Sequence, residues 1–339
     1  MPELVDVGLH RALGAALGGP VGSIAAHQRL GKRVYRLRVA SDGRVRAVVV
    51  KRLSPRAAEC NELVARRWLP AVQLERHAPP LLGAAPDHRR QTVWHVYQDL
   101  GDSVLDSLNP DLDKVRAVVE AVALIHVRCA GHPLLADCRM RAGDLGMAAY
   151  GQNVRAALNA LNLVRPPAVE LQAHQAAVRD RLLRHLSALL IERPARSRAM
   201  DQLGGPQTLL HGDLWTTNTL VTEAPEGPRV HLIDWDRAGV GPVCYDLSTF
   251  LLRFPPQHRP AIMDIYRAAV GRLGWRLPTD AELNALFDTA ERARYANYAI
   301  WPALAVMQPG GAWGFDALAA VADWFDALRP VLPTAKVRA

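Results

Sequence analysis

The sequence predicts an α+β chain, with a small N-terminal β-sheet followed by a larger, mostly helical region. Three observations carry that expectation. Strand-like runs crowd the first hundred positions, at Ile24–Gln28, Val34–Val39, Arg46–Lys51, Leu81–Ala84 and Thr92–Tyr97. From Asp111 onward, apolar residues recur at helical spacing instead. Between the two regimes, Gln98-Asp99-Leu100-Gly101 leaves the sheet for polar sequence. With 339 residues, half of them hydrophobic, the chain has room for about two domains or lobes. The expected division is 1–100 and 101–339.

The elements follow in order. Leu4, Leu9, Leu13 and Leu17 suit a short amphipathic helix, and Glu3 and Asp6 do not suit a signal peptide. Leu30-Gly31-Lys32-Arg33 links the first two strands, and Ser41-Asp42-Gly43 is a good hairpin turn between the second and third. Val48-Val49-Val50-Lys51 ends a buried strand on a cation. Lysine is rarely buried unpaired, so Lys51 either points to solvent or meets a partner. The next helix, about Pro55 to Trp68, offers Glu59 and Glu62, and Glu62 is the better placed. Val115, Val118, Val119, Val122 and Ile125 mark a helix ending near Gly131, with His126 packed on it. Helices are expected at Met140–Leu163 and Ala168–Ile191, split by Arg165-Pro166-Pro167, and later at Pro260–Leu273, Asp280–Ile300 and Phe315–Leu328.

The stretch from Thr208 to Phe250 carries the chemistry. Leu220-Val221 and Val230–Ile233 read as two short paired strands joined by the turn Glu223–Pro228. Such a hairpin returns Asp234 to the side of Asn218. A carboxylate beside an amide oxygen is a pair of hard ligands suited to Mg²⁺ that is held partly by phosphates. Asp213, in the same polar loop, is then free to accept a proton from a hydroxyl. Base, metal, phosphate and hydroxyl are the parts of a phosphoryl transfer.

At His211-Gly212-Asp213, Asn218, Ile233-Asp234 and Tyr245-Asp246-Leu247 the chain resembles the aminoglycoside phosphotransferase-like kinases, a group that includes choline kinase-type enzymes. The resemblance implies a two-lobed, protein-kinase-like fold, with 1–100 as nucleotide-binding lobe and 101–339 as catalytic and substrate-binding lobe. It implies ATP and Mg²⁺. Lys51, paired with Glu62, would contact the nucleotide phosphates. Backbone groups of Gln98 and Leu100 would bind adenine. Asn218 and Asp234 would hold the metal, and Asp213 would act as base. His211 and Asp246 would fix the loop without touching substrate. In that family the link at Leu30–Arg33 folds over the phosphates; here it is poor in glycine, and an ordinary turn is as good a reading.

The acceptor is a small molecule bearing a hydroxyl. On the helix at Asp280–Ile300, Asn284, Asp288, Glu291, Tyr295 and Tyr298 share one face. Two acids and two tyrosines suit a cationic, hydroxyl-rich molecule such as an aminoglycoside-type antibiotic. The plainer reading is a solvated face whose tyrosines pack sideways. A metabolic kinase of an amino alcohol or a sugar is the alternative within enzymes, and a nucleotide-binding pseudokinase the alternative outside them.

The bulk composition narrows the remaining classes. The net charge is +8, and residues 1–100 hold 16 Lys/Arg against 8 Asp/Glu. That bias fits an anionic nucleotide or simple solubility. No helix-turn-helix or finger pattern points to nucleic acid, although a basic small lobe alone would predict salt-dependent binding to it. No apolar run approaches the roughly 20 residues of a spanning helix. The four scattered cysteines, Cys60, Cys129, Cys138 and Cys244, show no metal spacing and suit reduced thiols in the cytoplasm.

Overall fold

A computed structural model describes residues 7–41, 43–225 and 227–333. Leu4 of the first helix and Asp42 of the first hairpin lie outside them. The chain forms two compact units: Met1–Ala142 with His211–Ala238, and Gly143–Leu210 with Gly239–Ala339.

The first unit opens with helix α1 (Val7–Leu17) and five strands: β1 (Ser23–Gly31), β2 (Val34–Ser41), β3 (Arg44–Leu53), β4 (Leu81–Asp87) and β5 (Thr92–Gln98). They form one antiparallel sheet in the order β1-β2-β3-β5-β4. β3 is central, so its inward side chains Val48 and Val50 are fully buried. With Leu37, Val39 and Trp94 they pack against Leu9 and Leu13 of α1. The helix lies so close to the sheet that a Cβ at Gly83 would come 2.6 Å from the Ala12 carbonyl oxygen.

Helix α2 (Pro55–Leu63) starts where the sequence supplies a start signal. The Ser54 side chain accepts from the Ala57 amide, and Pro55 takes the first turn. The helix runs on through a π-turn at Val64–Trp68. Helix α3 (Leu112–Cys129) is capped by Asp111, whose carboxylate accepts from the amides of Asp113 and Lys114.

The continuous helix expected over Met140–Leu163 is instead two helices, α4 (Leu134–Arg141) and α5 (Met147–Leu163). Gly143 between them has φ +118, which is outside helical geometry. The Asp144 carboxylate then accepts from the Gly146 amide at 2.7 Å, a local turn that competes with helix.

The second unit continues with α6 (Ala173–Leu203), longer than its apolar pattern suggested, and β6 (Gln207–Leu210). The chain then returns to the first unit for β7 (Thr219–Thr222) and β8 (Arg229–Leu232), an antiparallel hairpin at the expected place. Back in the second unit, β9 (Gly239–Pro242) pairs with β6. Helices α7 (Cys244–Leu252), α8 (Arg259–Arg272), α9 (Asp280–Ala305) and α10 (Trp313–Ala327) follow. A capping box at Thr279 and Glu282 begins α9.

The core of the second unit is unusually rich in alanine. Ala157 and Ala160 of α5 share one cluster with Ala293, Ala296, Ala299 and Ala303 of α9. Asn153 of α5 donates to the Ala293 carbonyl at 3.3 Å. Among the described residues no single helix is long and apolar enough to cross a membrane.

The buried histidines of the first unit include His77, His95 and His231. Burial lowers the pKa of each below the usual imidazole value. A lowered histidine pKa means that the unfolded chain binds more protons than the native one. Stability is therefore expected to be full above about pH 6.5 and to fall as the pH drops below it. The fall is at most about 1.4 kcal/mol per pH unit per histidine. Urea denaturation at pH 7.5, 6.5 and 5.5 checks the slope; equal midpoints would show that these groups are protonated alike in both states.

Candidate active site

β3 delivers Lys51 to a place largely shielded from water. It pairs with His95 of β5 and with Val34 of β2 across the sheet, and its side chain is only 16% exposed. Its ammonium Nζ lies 2.6 Å from Asp234 Oδ1 and 3.0 Å from Asp236 Oδ1. The two carboxylates differ in their response. Burial pushes the Asp234 carboxyl up, but Lys51 more than offsets it and leaves the pKa below the ordinary value. Asp236 is raised by burial and by the negative charge of Asp234, with Lys51 opposing.

The β7–β8 hairpin places Asp234. Thr219 pairs with Leu232, and the Ile233 amide donates to the Asn218 carbonyl at 2.9 Å. Asn218 and Asp234 therefore leave the hairpin side by side, as the sequence pattern required. Asp234 itself is left-handed, with φ 66 and ψ 55. A non-glycine residue in that region is uncommon and marks sites where geometry outweighs backbone preference.

The loop before the hairpin is held by its own side chains. The Asp213 amide donates to His211 Nδ1 at 3.3 Å. That nitrogen is thus the acceptor, and Nε2 carries the proton donated to the Ile233 carbonyl at 2.9 Å. The His211 ring also packs against Trp235, with centroids 4.6 Å apart. Asn218 Nδ2 donates to the Asp213 carbonyl at 2.9 Å, so its Oδ1 faces the other way. His211 thus ties the loop at Asp213 to the end of β8 by hydrogen bonds.

A cavity of about 440 Å³ lies within this unit, in the size range of small-molecule sites. Leu30, Val34 and Val49 of the sheet and Leu220 and Ile233 of the hairpin give it apolar walls. Lys51, Asn61 and Asp234 form a polar end, and Gln98 and Leu100 also line it. Arg36 stands on its wall, with Nε 2.9 Å from Asp99 Oδ2 and a two-pronged contact to Asp102. Leu30–Arg33 forms a tight β1–β2 turn, and the Arg29 guanidinium donates to the carbonyls of Gly31 and Lys32.

Two expectations need correction. Glu62 does not hold Lys51. It accepts from His95 Nε2 at 3.0 Å, and the fully buried His95 is bonded through Nδ1 to Tyr97. A buried imidazole needs both nitrogens satisfied, and Glu62 meets that need. The acidic stripe on α9 is no open cation site either. Asp288 binds Arg292 at 2.8 Å and Arg196 at 2.7 Å. Glu291 is buried, paired with Arg294 and accepting from Ser248. Tyr295 stacks on Trp324 at 3.4 Å, and Tyr298 lies edge-on to Tyr295. Asn284 is bonded to the backbone of Leu332. The acids are neutralised by the chain's own arginines.

Sequence reasoning missed Asp236 and Asn61. Asn61 Nδ2 donates to Asp236 at 2.7 Å, and its Oδ1 accepts from the Trp235 amide. The signal available was a second carboxylate two residues after Asp234.

Fold and site together set a lysine between two carboxylates at the polar end of an apolar cavity. Residues 28–286 match the model of the phosphotransferase enzyme family (APH), and the chain belongs to that family of small-molecule kinases. Solved structures share its fold at low identity. Spectinomycin phosphotransferase APH(9)-Ia, in complex with ADP and spectinomycin, is 12% identical; the match covers 92% of this chain and 95% of that one, with a TM-score of 0.56. Plasmodium vivax ethanolamine kinase is 12% identical over 89% and 81%, with a TM-score of 0.56. The Streptomyces rimosus phosphotransferase APH(3'')-Id, in complex with ADP and streptomycin, is 15% identical over 80% and 94%, with a TM-score of 0.51. No curated protein matches the sequence at a significant level.

Three substitutions test this geometry. Gly212 has φ +79, and a Cβ there would meet the Arg237 carbonyl oxygen at 1.9 Å. Gly43 has φ +71 but opens onto free space. Gly212→Ala is expected to cost well over the roughly 1–2 kcal/mol of left-handed backbone alone, and Gly43→Ala about that amount; denaturant midpoints for the pair check it. In the second unit, Glu291→Ala leaves Arg294 buried and uncompensated. It is expected to cost about 3–5 kcal/mol, and an unchanged unfolding midpoint would show that the pair contributes nothing.

Proposed function

We propose that this phosphotransferase moves the γ-phosphoryl group of ATP to a hydroxyl of a small molecule. One observation supports the reading above the others. Lys51 and Asp234 meet at the polar end of an apolar cavity, and hydrogen bonds tie Ile233 to Asn218 and Asn218 to Asp213 next to it. In this reading the adenine lies between the aliphatic walls, with its edge toward the backbone of Gln98 and Leu100. The Lys51 ammonium contacts the phosphates.

The donor set fits a hard cation. Asp234 offers carboxylate oxygens and Asn218 an amide oxygen turned away from its bond to Asp213. Among the described residues no three acids, histidines or cysteines gather at a metal site, so phosphate oxygens would complete the shell. Mg²⁺ bound there would neutralise charge on the phosphates. Asp213 accepts the proton of the acceptor hydroxyl as its oxygen bonds to the γ-phosphorus. The bond to the bridging oxygen breaks and ADP departs. Most of the acceleration comes from holding the partners in line, because the transition state is loose.

An aminoglycoside-type antibiotic or an amino alcohol is the acceptor we favour, since proteins of both kinds share the fold. The α9 stripe lends no support to either. A panel of aminoglycosides, amino alcohols and sugars, scored by ADP release with Mg²⁺, tests the activity. Asp213→Ala is expected to cut kcat at least 100-fold, the scale of general-base catalysis, while ADP binding stays within about threefold. Wild-type turnover in that variant would remove Asp213 from the reaction.

A further inference from the structure

The ammonium of Lys51 meets two carboxylates, and the metal pair accounts for only one. Asp236 Oδ1 accepts from Lys51 at 3.0 Å and from Asn61 Nδ2 at 2.7 Å. Asn61 is itself almost fully buried at 5% exposure. Its amide cannot turn freely, because Nδ2 also donates to the Ala57 carbonyl and Oδ1 accepts from the Trp235 amide. The thiol of Cys60 contacts the Trp235 carbonyl oxygen at 3.2 Å. Helix α2 thus grips the 235–236 turn through consecutive residues. Glu62, the next residue, is committed to His95 and lies 3.8 Å from Arg66.

We infer that Asp236, anchored by Asn61, is the positioning residue that holds Lys51 in place for the nucleotide phosphates, a task the sequence pattern assigns to Glu62. This rests on the nucleotide reading above. A cation on the Asp234 carboxylate competes for the charge that Lys51 now shares, whereas Asn61 holds the Asp236 oxygen that Lys51 also meets. A lysine left without that grip would find water or another acid, and the phosphates would lose a fixed positive charge.

The test is calorimetric titration of the full chain with ADP and MgCl₂, alongside KM for ATP. Asp236→Asn is expected to weaken ADP binding at least tenfold, more than Glu62→Gln does. Asp236→Glu restores binding to within threefold of wild type. In a Lys51→Met background, Asp236→Asn has no further effect beyond twofold, because the carboxylate acts through the ammonium. Asp236→Ser, uncharged but still an acceptor for Asn61, serves if Asp236→Asn does not fold. The inference is overturned if Asp236→Asn binds ADP like wild type. It is overturned also if the loss is as large without Lys51, or if Glu62→Gln does more harm. A wild-type chain that binds no ADP would overturn the nucleotide reading and this inference with it, a result distinct from tight binding that Asp236→Asn leaves unchanged.

Discussion

A cation at the end of a buried central strand must find negative charge, and this requirement organises the first unit. Lys51 is largely shielded from water where β3 leaves it, and the 234–236 turn comes to it. That turn is delivered by the β7–β8 hairpin, pinned beneath by His211 and at its side by Asn61. Sheet, hairpin and α2 meet at one ion-paired cluster. His211 and Asn61 are themselves bonded to backbone, which limits how far the turn can relax when the others change. The left-handed conformation of Asp234 fits this picture: the backbone tolerates an uncommon geometry because the surroundings over-determine it.

The sequence made much of the first unit legible, because short-range signals there agree with the fold. Alternation located all five strands, and the hairpin was readable from two apolar runs around a turn. The juxtaposition of Asn218 and Asp234 followed from the hairpin alone, since the pairing of Thr219 with Leu232 sets one beside the other. What stayed hidden was partner choice. Glu62 and Asn61 are neighbours on α2, and which one faces Lys51 depends on how the helix seats against the 235–236 turn. Periodicity cannot resolve one position when the contact is made by a turn distant in sequence. The need of His95 for an acceptor, set by its burial in the sheet, was equally invisible.

The second unit was less legible for a different reason. Its helices were found, but α5 was merged with the end of α4 in the first unit, because Gly143 and Asp144 break a helix only through local geometry. β6 and β9 were missed; four residues each are too few for a pattern. The α9 stripe shows a reading that the sequence could have corrected. Arg292 lies four residues after Asp288 and Arg294 three after Glu291, the spacings at which a helix brings opposite charges together. Acids with arginines at those offsets are more readily internal pairs than a ligand surface.

The alanines shared by α5 and α9 have a bearing on how this scaffold can diverge. Where methyl groups line both sides, two helix backbones come near the lower end of the usual 8–10 Å separation, and no side chain there has slack to give. Deleting a methyl leaves a void smaller than a water molecule, whereas adding even one carbon forces the helices apart. Drift in such a seam is constrained both ways: a substitution to glycine costs about 1 kcal/mol of helix propensity, while those to valine or leucine need compensation across the interface. Descendants of this chain would therefore vary in their loops and outer helix faces long before the seam itself widened.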